Sequence, residues 1–295
     1  MRPVTHVLPF CFGLAFSLAP WAAPSVVVVQ QAEQAEGLSR PHDGSFSPDG
    51  RLIYLTDMAN SRISVLDANS LETLGHIGEG ELAYPHDAEF DGAGRLLVAD
   101  TGHGRIAIYA VDGARGRLVG ELGGLNAPEG VAVLPDGRVA ATQTGGGSLS
   151  VFRDGRLERE IGAYGSGPLQ FIRPHDVDAA PDGSLYVVDS GNHRIQVLGP
   201  DLQLRAISDP ALALNEPKYL VLVGDGLWLA DEYNHRLLWM STALALRAVL
   251  GSGQPGRAAD AYRQPEAVLV QDGRLWVVDT YNDRILRLDW SVPGQ

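Results

Sequence analysis

The sequence has almost no sulfur chemistry. Its single cysteine, Cys11, lies in the first dozen residues, so no disulfide can staple the fold and a hydrophobic core must hold it unaided. Basic residues are also scarce: 23 Lys and Arg face 36 Asp and Glu, a formal charge of −13. A surface of that sign repels phosphate backbones, so nucleic acid is excluded as an expected partner. Beyond the amino end no apolar run approaches the ~20 residues of a spanning helix, so no membrane span is expected in the mature chain. There is no Gly-x-Ser-x-Gly elbow, and the glycines at 145–147 lack the lysine and helix of a phosphate-cradling loop.

The amino end has the order of an export signal. Arg2 supplies positive charge, Val7 to Leu18 an apolar stretch, and Ala22 and Ala23 small residues for processing. Residues 1–23 are therefore expected to be a signal peptide and 25–295 a single domain, exported to the periplasm or the extracellular space. Losing Arg2 makes the mature chain one charge more negative.

What the chain does contain is repetition. Pro41, Pro85, Pro128, Pro174, Pro217 and Pro265 each precede a short apolar stretch, at steps of 43 to 48 residues. After each proline comes a turn, such as "SPDG" at 47–50 or "QDG" at 271–273, whose Asp-Gly tolerates the positive φ of a tight hairpin. A β-branched strand follows ("LIYLTD", "LLVAD", "LYVVD", "LWVVD"), then a loop, a third strand and a more polar fourth. Four strands in six copies predict an all-β fold, a six-bladed β-propeller of four-stranded antiparallel blades. The sixth copy lacks its fourth strand, whereas an orphan strand, "SVVVVQ" at 25–30, precedes the first. Pairing the two closes the ring and hides both edges.

The Asp that ends strand two recurs five residues before an Arg: Asp57 with Arg62, Asp100 with Arg105, Asp189 with Arg194, Asp231 with Arg236, and Asp279 with Arg284. Bidentate carboxylate–guanidinium contacts are expected to pin these loops. Asn60, Asn192, Asn234 and Asn282 between them suit left-handed positions. Blade three has "TQTGGGS" instead, and its loop is expected to be the most mobile.

This pattern resembles the NHL repeat family, whose Asn-His-Leu stands where this chain has "NHR" at 192–194 and "NHRL" at 234–237. The glycine-rich spacer "GAYGSGPLQFIRP" at 162–174 is similar too, and the likeness spans residues 41–290. It implies the fold but no one function, because such propellers serve as sensors, scaffolds, binders and enzymes.

In a propeller the innermost strands line a central channel. The residues just after the six prolines, His42, His86, Glu129, His175, Lys218 and Glu266, are therefore expected to ring one mouth. Loop residues His103, His193, His235, Tyr233 and Tyr281 are expected around them. Two readings follow. The ring binds a small molecule, peptide or protein, with the chain acting as a monomer; or His86, His175 and Glu266, from alternate blades, hold zinc or another divalent metal for a lyase or hydrolase. Lys218 is expected to pair with Glu129 or Glu266. A plainer alternative stands beside both: Pro-His-Asp begins the strand, the imidazole donating to a nearby carbonyl and Asp43, Asp87 and Asp176 accepting from amides.

The ring is also similar to that of the peptidyl-hydroxyglycine amidating lyases, a likeness that implies zinc held by histidines after the prolines of blades two, four and six. His86 and His175 match. Glu266 replaces the third histidine, Ala267 replaces a calcium-binding aspartate, and blade three lacks the catalytic tyrosine, a loop position that Tyr233 and Tyr281 occupy in blades five and six. Tyr233 is then the candidate acid or base.

Overall fold

The computed structural model describes residues 26–291; the expected signal peptide lies outside them. Six sheets of four antiparallel strands are arranged in a ring. In blade one the strands run Pro41–Phe46, Leu52–Asp57, Arg62–Asp67 and Thr73–Ile77, from the channel outward. The second strands are buried along nearly their whole length on both faces, as in Leu52–Asp57, Gly226–Asp231 and Arg274–Asp279. That explains their continuous apolar runs: each is sandwiched between neighbouring blades, so alternation would bury polar groups. The fourth strands sit at the rim and are polar, Arg156–Ile161 being exposed except at its last residue.

Turn chemistry follows the expected Asp-Gly logic. Gln271 pairs with Arg274, so Asp272 (φ 50°) and Gly273 (φ 73°) form a two-residue hairpin loop with both central residues left-handed.

Ring closure occurs as expected, with different bounds. The strand runs Val27–Gln34 and pairs with Arg284–Ser291 in blade six, from Val27 opposite Ser291 to Gln34 opposite Ile285. It is longer than 25–30 because Glu33 reaches Arg284 and Arg257, and because a register shift between Gln30 and Ala32 lets the pairing continue. Blades are tied laterally as well: Trp276 donates to the Ala68 carbonyl (2.8 Å), Tyr54 to that of Gly113 (2.7 Å) and Tyr186 to that of Thr242 (2.9 Å).

The loops between strands two and three depart from expectation in instructive ways. Each Arg approaches its Asp through Nε alone, at 2.7–2.8 Å. The rest of the guanidinium serves backbone carbonyls, as Arg194 does those of Ser166, Gly167 and Gln170, and in blades one and two also a glutamate, Glu79 for Arg62 and Glu121 for Arg105. The Asp has a second duty that excludes the bidentate geometry: its Oδ1 accepts the amide two residues before the repeat proline, Ser39 to Asp57, Ala83 to Asp100, Asn215 to Asp231. In blade three Gln143 does the same through Oε1, accepting from Asn126 at 3.1 Å, so that loop keeps its staple without an Asp. The asparagines are not left-handed. They end single 3-10 turns and donate to the same Asp, while the next residue, Ser61, His193, His235 or Asp283, takes the positive φ.

Candidate functional site at the channel mouth

A second ring, not anticipated from the sequence, frames the mouth. The residue before every repeat proline is left-handed: Arg40, Tyr84, Ala127, Arg173, Glu216 and Gln264, with φ of 48–52°. Such a conformation is costly before proline and persists only when neighbours hold it. At four of the six, the side chain of the left-handed residue of the preceding blade's loop does so. Asp283 Oδ1 accepts the Arg40 amide (2.7 Å), Ser61 Oγ that of Tyr84 (3.3 Å), His193 Nδ1 that of Glu216 (3.1 Å) and His235 Nδ1 that of Gln264 (3.0 Å). These contacts latch blade to blade and turn the rim side chains toward solvent. The signal was present in the sequence as a register, the position before each proline, but nothing in the residue types marks it.

His193 and His235 therefore each spend one ring nitrogen on the frame, and His103 occupies an asparagine position, its Nδ1 2.9 Å from Asp100 Oδ2. Tyr233 is about half exposed, and the Tyr281 hydroxyl accepts from Arg40, whose guanidinium lies 4.8 Å above the Tyr281 ring.

Within this frame the predicted ring is assembled. His42 and His86 have centroids 4.6 Å apart, and His86 and His175 6.1 Å. The carboxylates interleave with them: Glu266 Oε2 is 3.2 Å from His42 Nε2, and Glu129 Oε2 is 3.2 Å from His175 Nε2. Glu129 Oε1 faces His86 Nε2 at 3.9 Å. Lys218 meets Glu232 at 3.4 Å rather than the expected Glu129 or Glu266, because Glu232 leaves the second strand of its own blade. Burial, opposed by Lys218, drives Glu266 up to about 8, and burial, reinforced by His86, holds His42 well below its ordinary value. The plainer contacts also exist: Nδ1 of His42 and His86 bond the carbonyls of Arg40 (2.9 Å) and Tyr84 (2.8 Å), and Asp87 and Asp176 accept amides of the next blade, Val131 and Leu220.

Of the expected metal set His86, His175 and Glu266, the first two meet across Glu129, with ring centroids 6.1 Å apart. Blade six neighbours blade one in the ring, so Glu266 lies against His42 instead. Among the described residues no group of three or more His, Cys, Asp or Glu side chains is placed to hold a metal ion.

Tyr219 floors the mouth. Its hydroxyl approaches the His86 and Glu129 carbonyls (3.1 and 3.3 Å), and its ring meets His175 edge to face at 4.7 Å. Below it the channel opens into a cavity of about 240 Å³ lined by Asp43, Asp87, Glu89, Asp176 and Asp178. Burial pushes Glu89 up to about 8 and Asp178 to about 6, and Asp43, Asp87 and Asp176 also rise.

These shifts have a definite sign. A carboxyl raised in the fold is protonated in both states below about pH 4, so its contribution is complete there and is lost as pH climbs to the folded value. For Glu89 the loss runs to about pH 8, for Asp178 to about pH 6. The lowered histidines His42, His86 and His175 act oppositely, and their contribution is completed as the unfolded imidazoles finish deprotonating, about a pH unit above 6.5. Between about pH 7 and 8 the raised carboxyls of the channel, together with Glu266 at the mouth, dominate, and stability is expected to fall at about 1.4 kcal/mol per pH unit for each proton retained. Thermal unfolding across that window checks this: Glu89→Gln should flatten the decline, and a melting temperature that rises with pH would contradict buried protonated carboxyls.

Residues 171–198 match the NHL repeat family. Among solved structures, an auxiliary nutrient binding protein from Bacteroides ovatus superposes with a TM-score of 0.70 at 12% identity, over 91% of this chain and 77% of that one. Another from Bacteroides thetaiotaomicron gives 0.72 at 13%, over 90% and 77%. Virginiamycin B lyase from Staphylococcus aureus gives 0.63 at 14%, over 90% and 99%. At these identities the likeness is one of fold. Repeat, blades and closure agree: the chain is a six-bladed β-propeller that carries an NHL repeat.

Proposed function

We propose that this propeller works after export as a binding protein, taking a small molecule, a peptide or a protein segment at the mouth framed by Arg40, Tyr84 and Tyr233. One observation carries the reading: three imidazoles and two carboxylates from five blades converge at one end of the channel. Burying such groups costs stability, and the second strands already hold the blades together, so the expenditure points to recognition. The nutrient-binding proteins among the structural neighbours are compatible with it. A ligand at one hundred times its dissociation constant adds about 2.7 kcal/mol to stability. Thermal-shift panels of amino acids, dipeptides and sugars should therefore raise the melting temperature by several degrees with one class, and Glu129→Gln should diminish the rise. No rise with any class, or one indifferent to Glu129→Gln, counts against the mouth.

A lyase reading draws on one feature, the sharing of Glu129 by His86 and His175, and on the virginiamycin B lyase neighbour. Its metal-dependent form, with Tyr233 as acid or base, is tested by elemental analysis of untagged protein, where stoichiometric zinc would favour it.

A further inference from the structure

We infer that the ligand of this mouth presents a protonated primary amine, held between Nε2 of His86 and Oε1 of Glu129; this rests on the binding reading above. Accessibility narrows the contact first. The side chains of His42, His175 and Glu266 are only 3–4% exposed, whereas His86 keeps 13% and Glu129 and Lys218 17%. An incoming molecule therefore meets His86, Glu129 and Lys218 and little else of the ring.

Hydrogen-bond bookkeeping then fixes what His86 offers. Its Nδ1 lies 2.8 Å from the Tyr84 carbonyl, which can only accept, so the ring proton is on Nδ1. The Thr101 hydroxyl, 2.9 Å from the same nitrogen, spends its own proton on the Pro128 carbonyl at 2.6 Å and accepts as well. Nε2 is thus a lone pair, and burial keeps it unprotonated by lowering the imidazole. Opposite stands Glu129 Oε1, also an acceptor. Their 3.9 Å separation is too long for a hydrogen bond between them, yet it accommodates one donor atom about 2.8 Å from each.

The protein's own donors are engaged elsewhere. His175 Nε2 faces Glu129 Oε2 at 3.2 Å and not Oε1, Lys218, the only lysine in the chain, is at Glu232, and Arg40 is at Tyr281. An alcohol has one proton and satisfies one of the two acceptors. An ammonium has three, serves both at once and neutralises the carboxylate. The half-exposed rings of Tyr84 and Tyr233 at the rim add aromatic faces of the kind that attract cations.

The test uses the mature chain and three matched probes: phenethylammonium, 2-phenylethanol and 3-phenylpropanamide, titrated while the His86 ring resonances are followed by NMR. Phenethylammonium should shift them and bind at least tenfold more tightly than either neutral probe. Glu129→Gln turns its amide toward His86 and fills the gap, so ammonium affinity should drop at least tenfold while the melting temperature stays near that of the parent. His86→Ala should weaken it likewise. Equal binding of the alcohol or the amide, or an ammonium affinity unchanged in Glu129→Gln, overturns the inference. If the ammonium fails to bind while another ligand class occupies the mouth, the amine is wrong and the mouth stands. If nothing binds at all, both fall.

Discussion

Deleting residues 26–34 is expected to cost on the order of 5 kcal/mol and to replace cooperative unfolding by aggregation. This segment supplies the outer strand of blade six, and without it Arg284–Ser291 becomes a bare edge presenting unpaired amides and carbonyls. Each ladder hydrogen bond lost is worth about 1 kcal/mol net, part of which is offset by the chain entropy recovered. Other terms add to this. Val26 is buried and donates to the Val249 carbonyl (2.8 Å) of blade five, so the segment bridges two blades. Leu286 and Leu288 lie in the core beneath, and Glu33 balances Arg284 and Arg257. The comparison is urea unfolding and size-exclusion chromatography of chains beginning at residue 26 and at residue 35. A shortened chain that unfolds within 1 kcal/mol of its parent, with an unchanged m-value, would show that closure contributes little.

Asp279→Ala is expected to be the most damaging single substitution in the loop staples, at about 3–5 kcal/mol. Arg284 is 1% exposed, and its Nε–Asp279 contact of 2.7 Å is its one close ion pair; Glu33 stands farther off at 3.4 Å and is partly solvated. Truncating the carboxylate leaves a guanidinium buried with three carbonyls at 3.0–3.4 Å, orphans the Arg263 amide, and takes one of its two acceptors from the Asn282 side chain, which keeps the Gly256 carbonyl. The equivalent Asp231→Ala should cost about 2 kcal/mol, because Arg236 is 24% exposed and can rehydrate. Adding Arg284→Met to Asp279→Ala should recover part of the loss by removing the unpaired charge. Equal costs at the two blades, or no recovery in the double variant, would place the effect in the loop backbone and not in burial of charge.

Much of this was legible from spacing. The proline register, the Asp-Gly turns and the missing sixth outer strand foretold six blades and their closure, since each is a local signal repeated until chance is excluded. The Asp and Arg residues were also recognisable as staples. Their geometry was not, because the second oxygen of each Asp is claimed by an amide that lies 16 to 18 residues earlier in the chain, as between Ser39 and Asp57. The left-handed residue stands one position after the asparagines that the spacing suggests. Asn60 and its counterparts use their amides on the Asp, and the turn that this contact tightens passes the positive φ to the next residue.

The candidate site divides in the same way. The membership of the mouth ring, His42, His86, Glu129, His175, Lys218 and Glu266, followed from repeat register alone, because sixfold repetition places equivalent positions around one axis. Which members pair was a matter for the folded ring: Glu266 with His42, Glu129 between His86 and His175, and Lys218 with Glu232. Repetition along a chain dictates architecture, since every copy solves the same local problem. Contacts across a channel join residues from different copies, and side-chain length, burial and competing partners settle them only once the ring has closed.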